Sequence, residues 1–199
     1  MAASIVSITG LQNLTNLNNF NADWNGLQSV NLSGLTSLVY VDISDNNIPG
    51  SGGTNSLTSV NLSGCTALQT LRLDDSDFSA GIPSLAGLTS LSLIDFDQCS
   101  ISGVVDLTNL SALEELDFFG NTALTSIIIA DTQPILYFYA SGCDLTETAV
   151  DNILIVLSDN GLANGDVDLD GGTNAIPSAT GLAAKLALEA DGWTVSVNS

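Results

Sequence analysis

The sequence predicts an α/β solenoid with a parallel β-sheet on its concave face, a mostly irregular convex side and a helix–strand cap at the C-terminal end. Three observations predict it. An apolar pattern of the form Leu-x-x-Leu-x-Leu-x-x-Asn/Cys returns six times, at steps of 21, 30, 23, 22 and 22 residues. A weaker apolar motif follows most copies about eleven residues later. Beyond residue 145 the pattern gives way to two stretches of helical spacing, each followed by a short strand signal.

The copies begin at Leu17 (Phe20, Ala22, Asn25), Leu38 (Val41, Ile43, Asn46), Leu68 (Leu71, Leu73, Ser76), Leu91 (Ile94, Phe96, Cys99), Leu113 (Leu116, Phe118, Asn121) and Ile135 (Phe138, Ala140, Cys143). A unit this short cannot bury its own apolar face, so it must stack on its neighbours. Within each copy the first, fourth and sixth positions are apolar, the fourth and sixth alternating with polar neighbours as in a half-buried strand. One strand per copy, stacked in parallel at about 4.8 Å, makes the sheet. At the ninth position Asn25, Asn46 and Asn121 form a ladder of amides that bonds the backbone of the turn leaving the strand. Ser76, Cys99 and Cys143 occupy the same rung as weaker partners.

The second motif, in Leu27-x-x-Val30-x-Leu32, Leu57-x-x-Val60-x-Leu62, Ile101-x-x-Val104 and Leu124-x-x-Ile127-x-Ile129, is expected to form the opposite wall. About ten residues for that wall and its turns leave no room for long helices. The 30-residue step contains Asn47-Ile48-Pro49-Gly50-Ser51-Gly52-Gly53-Thr54-Asn55, a Gly-rich loop read as a tolerated insertion, with a binding loop over Gly50 to Asn55 as the alternative. After Cys143, Thr146 to Leu157 has a capping signal and helical spacing and stops at Asn160-Gly161. Val167-Asp168-Leu169 then reads as a strand, Ser178 to Ala190 as a helix stopped by Gly192, and Trp193 to Val197 as a last strand. The chain thus divides into an N-terminal coil over 1–16, six units over 17–144 and a cap over 145–199, all one domain. The N-terminal coil around Ile5, Val6 and Ile8 lacks a cap, so its own chain or a neighbour is expected to cover it, which leaves a homo-oligomer open.

Composition narrows the function. The 199 residues carry 22 Asp and Glu against Arg72 and Lys185, with no histidine, for a net charge of −20. Two cations cannot neutralise a phosphate track, so no nucleic-acid partner is expected. An anionic membrane surface repels such a chain, and no membrane insertion is expected. The charge suits work at substantial salt or beside divalent cations, or simply a solvated surface. Cys65, Cys99 and Cys143 are an odd set at repeat positions and read as buried structural thiols. The start Met1-Ala-Ala-Ser-Ile-Val-Ser-Ile-Thr-Gly10 lacks a basic segment and a long apolar core, so no signal peptide is visible. Either the chain works without export, or an export signal has been removed or lies outside it.

Copies such as Thr66-Ala67-Leu68-Gln69-Thr70-Leu71-Arg72-Leu73 and Leu57-Thr58-Ser59-Val60-Asn61-Leu62-Ser63-Gly64-Cys65 resemble the short bacterial class of the leucine-rich repeat family, over roughly residues 11 to 145. Val150-Asp151-Asn152-Ile153-Leu154, Gly171-Gly172-Thr173, Gly181-Leu182-Ala183-Ala184-Lys185 and Gly192-Trp193-Thr194-Val195 resemble the closing segment of tail, fibre and virion-surface proteins of tailed phages and prophages. The first resemblance implies binding rather than catalysis. The second implies a virion setting, as a phage tail or capsid decoration protein docked on a larger particle. A bacterial cell-surface or secreted adhesin and a calcium-binding structural repeat protein are the alternatives.

Outward strand positions hold the candidate site. The third position gives Asn19, Tyr40, Thr70, Leu93, Glu115 and Tyr137; the fifth gives Asn21, Asp42, Arg72, Asp95, Asp117 and Tyr139; the seventh gives Asp23, Ser44, Asp74, Asp97, Phe119 and Ser141. A face with Tyr40, Tyr137, Tyr139 and Trp24 as aromatic anchors among carboxylates is expected to bind a protein or a glycan, unless it is an unused solvated face. No cofactor is expected except calcium, held between stacked carboxylates such as Asp74 and Asp97 or in Asp166-Val167-Asp168-Leu169-Asp170-Gly171. That stretch begins like an EF-hand loop, but Pro177 stands where the bidentate Glu is needed. Without histidine and with one lysine and one arginine, the usual nucleophile–base and phosphate-handling sets cannot be assembled, and no enzyme is expected. A glycosidase-like carboxylate pair, Asp95 with Asp117, is the remaining catalytic option.

Overall fold

A computed structural model describes residues 4–46 and 57–199, so the Gly-rich loop expected over Gly50 to Asn55 lies outside the described residues. Among the described residues the chain is mostly a parallel β-sheet of eight strands, with two α-helices and a short 3-10 helix at Leu11–Asn13. In chain order the elements are β1 (Asn19–Asn21), β2 (Ser29–Asn31), β3 (Tyr40–Asp42), β4 (Ser59–Asn61), β5 (Thr70–Arg72), β6 (Leu93–Asp95), β7 (Ser102–Asp106), β8 (Glu115–Asp117), β9 (Ala123–Ile128), β10 (Tyr137–Tyr139), α1 (Glu147–Asp159), β11 (Asp166–Leu169), α2 (Ala179–Ala190) and β12 (Thr194–Val197). The large sheet runs β1-β3-β5-β6-β8-β10-β11-β12, every neighbour parallel.

Register follows the recurring pattern. Asn19, Tyr40, Thr70, Leu93, Glu115, Tyr137, Asp166 and Thr194 stand side by side, as do Asn21, Asp42, Arg72, Asp95, Asp117, Tyr139, Asp168 and Ser196. A slip of one residue would turn every leucine outward, and burial of one face forbids it. The fourth-position residues Phe20, Val41, Leu71, Ile94, Leu116, Phe138 and Val167 are all buried. Each such side chain contributes about 1.5–3 kcal/mol by leaving water.

Backbone pairing continues past the strand ends. N–H groups at the sixth and eighth positions donate to the fifth- and seventh-position carbonyls of the next strand at 2.8–3.1 Å, from Ala22 to Asp42 through Gly142 to Asp170. The eighth position is left-handed throughout, with φ from 50° to 71° at Trp24, Asp45, Asp75, Gln98, Gly120, Gly142 and Gly171. This turns the chain so that the ninth side chain enters the core. Asn46 Nδ2 donates to the sixth-position carbonyls of its own and the preceding strand, Ile43 (2.8 Å) and Ala22 (3.0 Å), while its Oδ1 accepts from Leu27 N–H (2.9 Å). Asn121 repeats this with Phe118, Phe96, Cys99 and Ile101. Cys99 and Cys143 donate more weakly, through Sγ, to Leu73 and Phe118 carbonyls. All three cysteines are buried.

The opposite wall corrects two expectations. It is more regular than expected, because β2 pairs with β4 and β7 with β9 in two small parallel sheets. Val104 does not point inward: it is 61% exposed, and Val105 is buried instead. The pairing with β9 shifts register between Gly103 and Val104, leaving Thr125 without a counterpart, and Gly103 at φ +75° turns the β7 backbone there.

Both expected helices are present. Thr146 caps α1 by accepting from Ala149 N–H, and Ser178 caps α2 by accepting from Thr180 N–H. Helix α1 packs on β9 and α2. At that contact Asp151 accepts from the backbone and hydroxyl of Ser178, and Gly181 leaves the room that Asp151 needs. Strands β11 and β12 extend the same sheet, so the C-terminal segment continues the stack that it closes.

Candidate functional site

The sheet face turned away from the core brings together the third, fifth and seventh columns. Most fifth-position carboxylates and amides have a local task. Each accepts the backbone N–H two residues ahead: Asn21 from Asp23 (3.2 Å), Asp42 from Ser44 (3.2 Å), Asp95 from Asp97 (3.4 Å), Asp117 from Phe119 (2.9 Å) and Asp168 from Asp170 (3.1 Å). The seventh N–H has no sheet partner at the turn, so a short acidic or amide side chain satisfies it. Asp95 and Asp117, the pair considered for hydrolysis, are thus both engaged in holding backbone. Asp42 is buried as well, and accepts from the Tyr40 hydroxyl (3.0 Å) and the Ser44 hydroxyl (2.6 Å). Arg72 interrupts the column and pairs with Asp95 at 3.1 Å.

Burial, and after it the crowding of like charge, shows in the protonation of these groups. Burial, then the charges of Asp95, Asp45 and Asp42, push the Asp74 carboxyl up to about 7. Burial and the neighbouring Asp117 push Asp97 up to about 6, with the Gln98 side chain offsetting part of this. Asp45, Asp95 and Asp117 are raised too, in each case chiefly by burial. Tyr40 and Tyr139 are raised by burial and by Asp42 and Asp166 beside them. The thiols are raised by burial, Cys143 to about 12, so none is a thiolate at neutral pH.

Register puts the seventh positions Asp74 and Asp97 just past the ends of the neighbouring strands β5 and β6. Among the described residues, the carboxylates that gather within 4.8 Å as a set of three are Asp45, Asp74 and Asp75. Asp97 is outside that set. Asp166, Asp168 and Asp170 do not gather either: Asp166 and Asp168 lie on the extended strand β11, in register with Tyr137 and Tyr139, and no loop wraps around them. An EF-hand loop curls its ligands around one ion, whereas this stretch lies along a strand that advances about 3.3 Å per residue.

Toward the C-terminal half of the face, Asp97, Asp117, Phe119, Tyr139, Ser141 and Asp168 line an open hollow of about 380 Å³. Phe119 is exposed, and the Tyr139 hydroxyl reaches Asp166 at 3.5 Å. Tyr137 is exposed in the third column beside Glu115, while Tyr40 lies four strands away and Trp24 sits at the far turn, exposed. The aromatic anchors therefore form no single patch. Sequence reasoning missed Phe119 and Ser141 as lining residues, although the seventh column contained them. It also missed Asp45 and Asp75, which a count of the eighth column would have placed side by side.

No family model, curated protein or solved structure matches the chain. Among the described residues no helix is long and apolar enough to cross a membrane.

Proposed function

We propose that the chain is a leucine-rich repeat solenoid that acts as a non-enzymatic binding or structural module on the surface of a phage particle or tail, where it contacts a protein or a glycan. In-register stacking of the six recurring segments supports the solenoid reading. The observation that carries the binding reading is the hollow where Phe119 and Tyr139 stand among Asp97, Asp117 and Asp168 on an otherwise open sheet face. Aromatic rings supply flat apolar area for a sugar ring or a side chain, and carboxylates accept hydrogen bonds from hydroxyl or cationic groups. Binding rather than turnover fits a chain without histidine whose central carboxylates hold their own turns.

Mass spectrometry of purified phage particles from the source genome tests the setting: the chain is expected among the structural proteins, and its absence there would sink the virion reading. Binding is tested with arrays of host-surface glycans and particle proteins. Tyr139→Ala is expected to weaken the best hit about tenfold or more, as truncation of a central aromatic anchor does. Unchanged affinity would move the contact off this hollow.

A further inference from the structure

The two ends of the molecule differ in charge and in how their strand edges are guarded. The first 41 residues contain a single charged side chain, Asp23, in a chain of net charge −20. Residues 144–199 contain nine carboxylates and Lys185. Strand β1 is the end strand of the large sheet, and among the described residues its outer edge pairs with no strand. An open edge presents unpaired N–H and C=O groups, and proteins that remain monomeric guard such edges with lysine, proline or a bulge. The Asn19-Phe20-Asn21-Ala22 stretch holds neither lysine nor proline, and β1 pairs with β3 without a bulge.

Apolar side chains surround this edge. Ile5, Val6, Leu14 and Trp24 are 47%, 63%, 51% and 75% exposed. Leu14 and Leu17 line an open hollow at the same end. Residues 5–12 are themselves fixed to the stack, since Ile5 exchanges hydrogen bonds with Asn25 and Gly26, and Gln12 donates to Asn31. The exposed apolar groups are thus held in place.

We propose that this end is a self-association surface on which a second copy of the chain seats its own N-terminal end, β1 against β1 across a two-fold axis. The charge distribution selects the occupant. Two molecules of net charge −20 meet with least repulsion through the ends that carry one carboxylate each, whereas contact through the C-terminal end or the acidic sheet face adds carboxylates to the interface. A two-fold closes the assembly at a dimer and runs the two edge strands antiparallel.

Analytical ultracentrifugation of the full chain over a concentration series tests this. Twice the 20.4 kDa chain mass is expected, with association tightening as sodium chloride rises, because salt screens the repulsion and leaves apolar burial intact. The double variant Val6→Glu/Leu14→Glu is expected to weaken association at least about tenfold, since it places carboxylates in the charge-poor end. Trp24→Glu repeats the test should the double variant fail to fold, and Leu186→Glu at the opposite end is expected to leave the dimer intact. A monomer at every concentration and salt, as a covered edge would give, overturns the proposal. So does a dimer that ignores the N-terminal variants or is broken by Leu186→Glu.

Discussion

Residues 17–144 and 145–199 build one sheet with two different opposite walls. In the first region the chain returns to the sheet through short strands and turns; in the second it returns through α1 and α2. Column register is the same in both, with Tyr139 beside Asp168 and Asp168 beside Ser196. The bridge between sixth-position carbonyls is kept as well. Asn174 donates to Ala140 (2.8 Å) and Leu169 (3.0 Å) and accepts from Leu145 N–H (2.8 Å), the task Asn121 performs two strands earlier, with the Cys143 rung between them. It does so from two positions later, because Gly171-Gly172 lengthens the turn. The sheet and its carbonyl bridges are therefore the constraint, and the other wall needs only to bury an apolar edge.

The largest effect that tests this equivalence is at the rungs. Asn121→Ala leaves the N–H groups of Cys99 and Ile101 and the Phe96 carbonyl buried without partners, while the Phe118 carbonyl keeps the Cys143 thiol and the backbone N–H of residue 121, for an expected loss of about 3–5 kcal/mol in urea unfolding. Asn174→Ala strands one N–H and two carbonyls and is expected to lose about 2–4 kcal/mol. A neutral Asn174→Ala would break the comparison, confining the rung to the first region.

Next come the glycines that set turn length. Gly172 has φ +59°, and a Cβ there would lie 2.7 Å from the Gly142 backbone. Gly103 has φ +75° with open space around it. Gly103→Ala is expected to cost about 1 kcal/mol, from backbone strain alone, and Gly172→Ala about 2–3 kcal/mol or more. Equal costs would mean that the close approach at Gly142 relaxes freely.

The smallest effect separates the regions by charge. Asp74 and Asp97, in the first region, have folded values raised to about 7 and about 6 from 3.8. A carboxyl raised on folding binds its proton more tightly in the native state, so its contribution is fully present below about pH 4 and is lost as pH rises through 6 to 7. With solvent screening of these half-buried groups holding the loss to about 1–2 kcal/mol, melting temperature is expected to fall by a few degrees between pH 5 and pH 8, at about 2–4 °C per kcal/mol for a chain of this size. Asp74→Asn should flatten that slope, and a slope unchanged by it would show that the crowding is relieved elsewhere.

Much of this molecule was legible because its instructions are local. Alternation of period two placed Phe20, Val41, Leu71, Ile94, Leu116 and Phe138 inward in register, and the cap residues Thr146 and Ser178 marked both helix starts. The candidate face was legible by column but not by grouping. Tyr40 and Tyr137 share a column yet stand four strands apart, and Asp97 lines the Phe119–Tyr139 hollow.

By itself the sequence determined which side chains face the core, where strands and helices begin, and that the outer face is acidic, since each follows from spacing within one segment. Only the tertiary structure decided that Val105 replaces Val104, that Asn174 serves as a rung, and that Asp45 meets Asp74 and Asp75. Those outcomes depend on a register shift, on turn length and on the neighbouring strand, and such contacts between segments far apart in the chain leave no periodic trace in either segment.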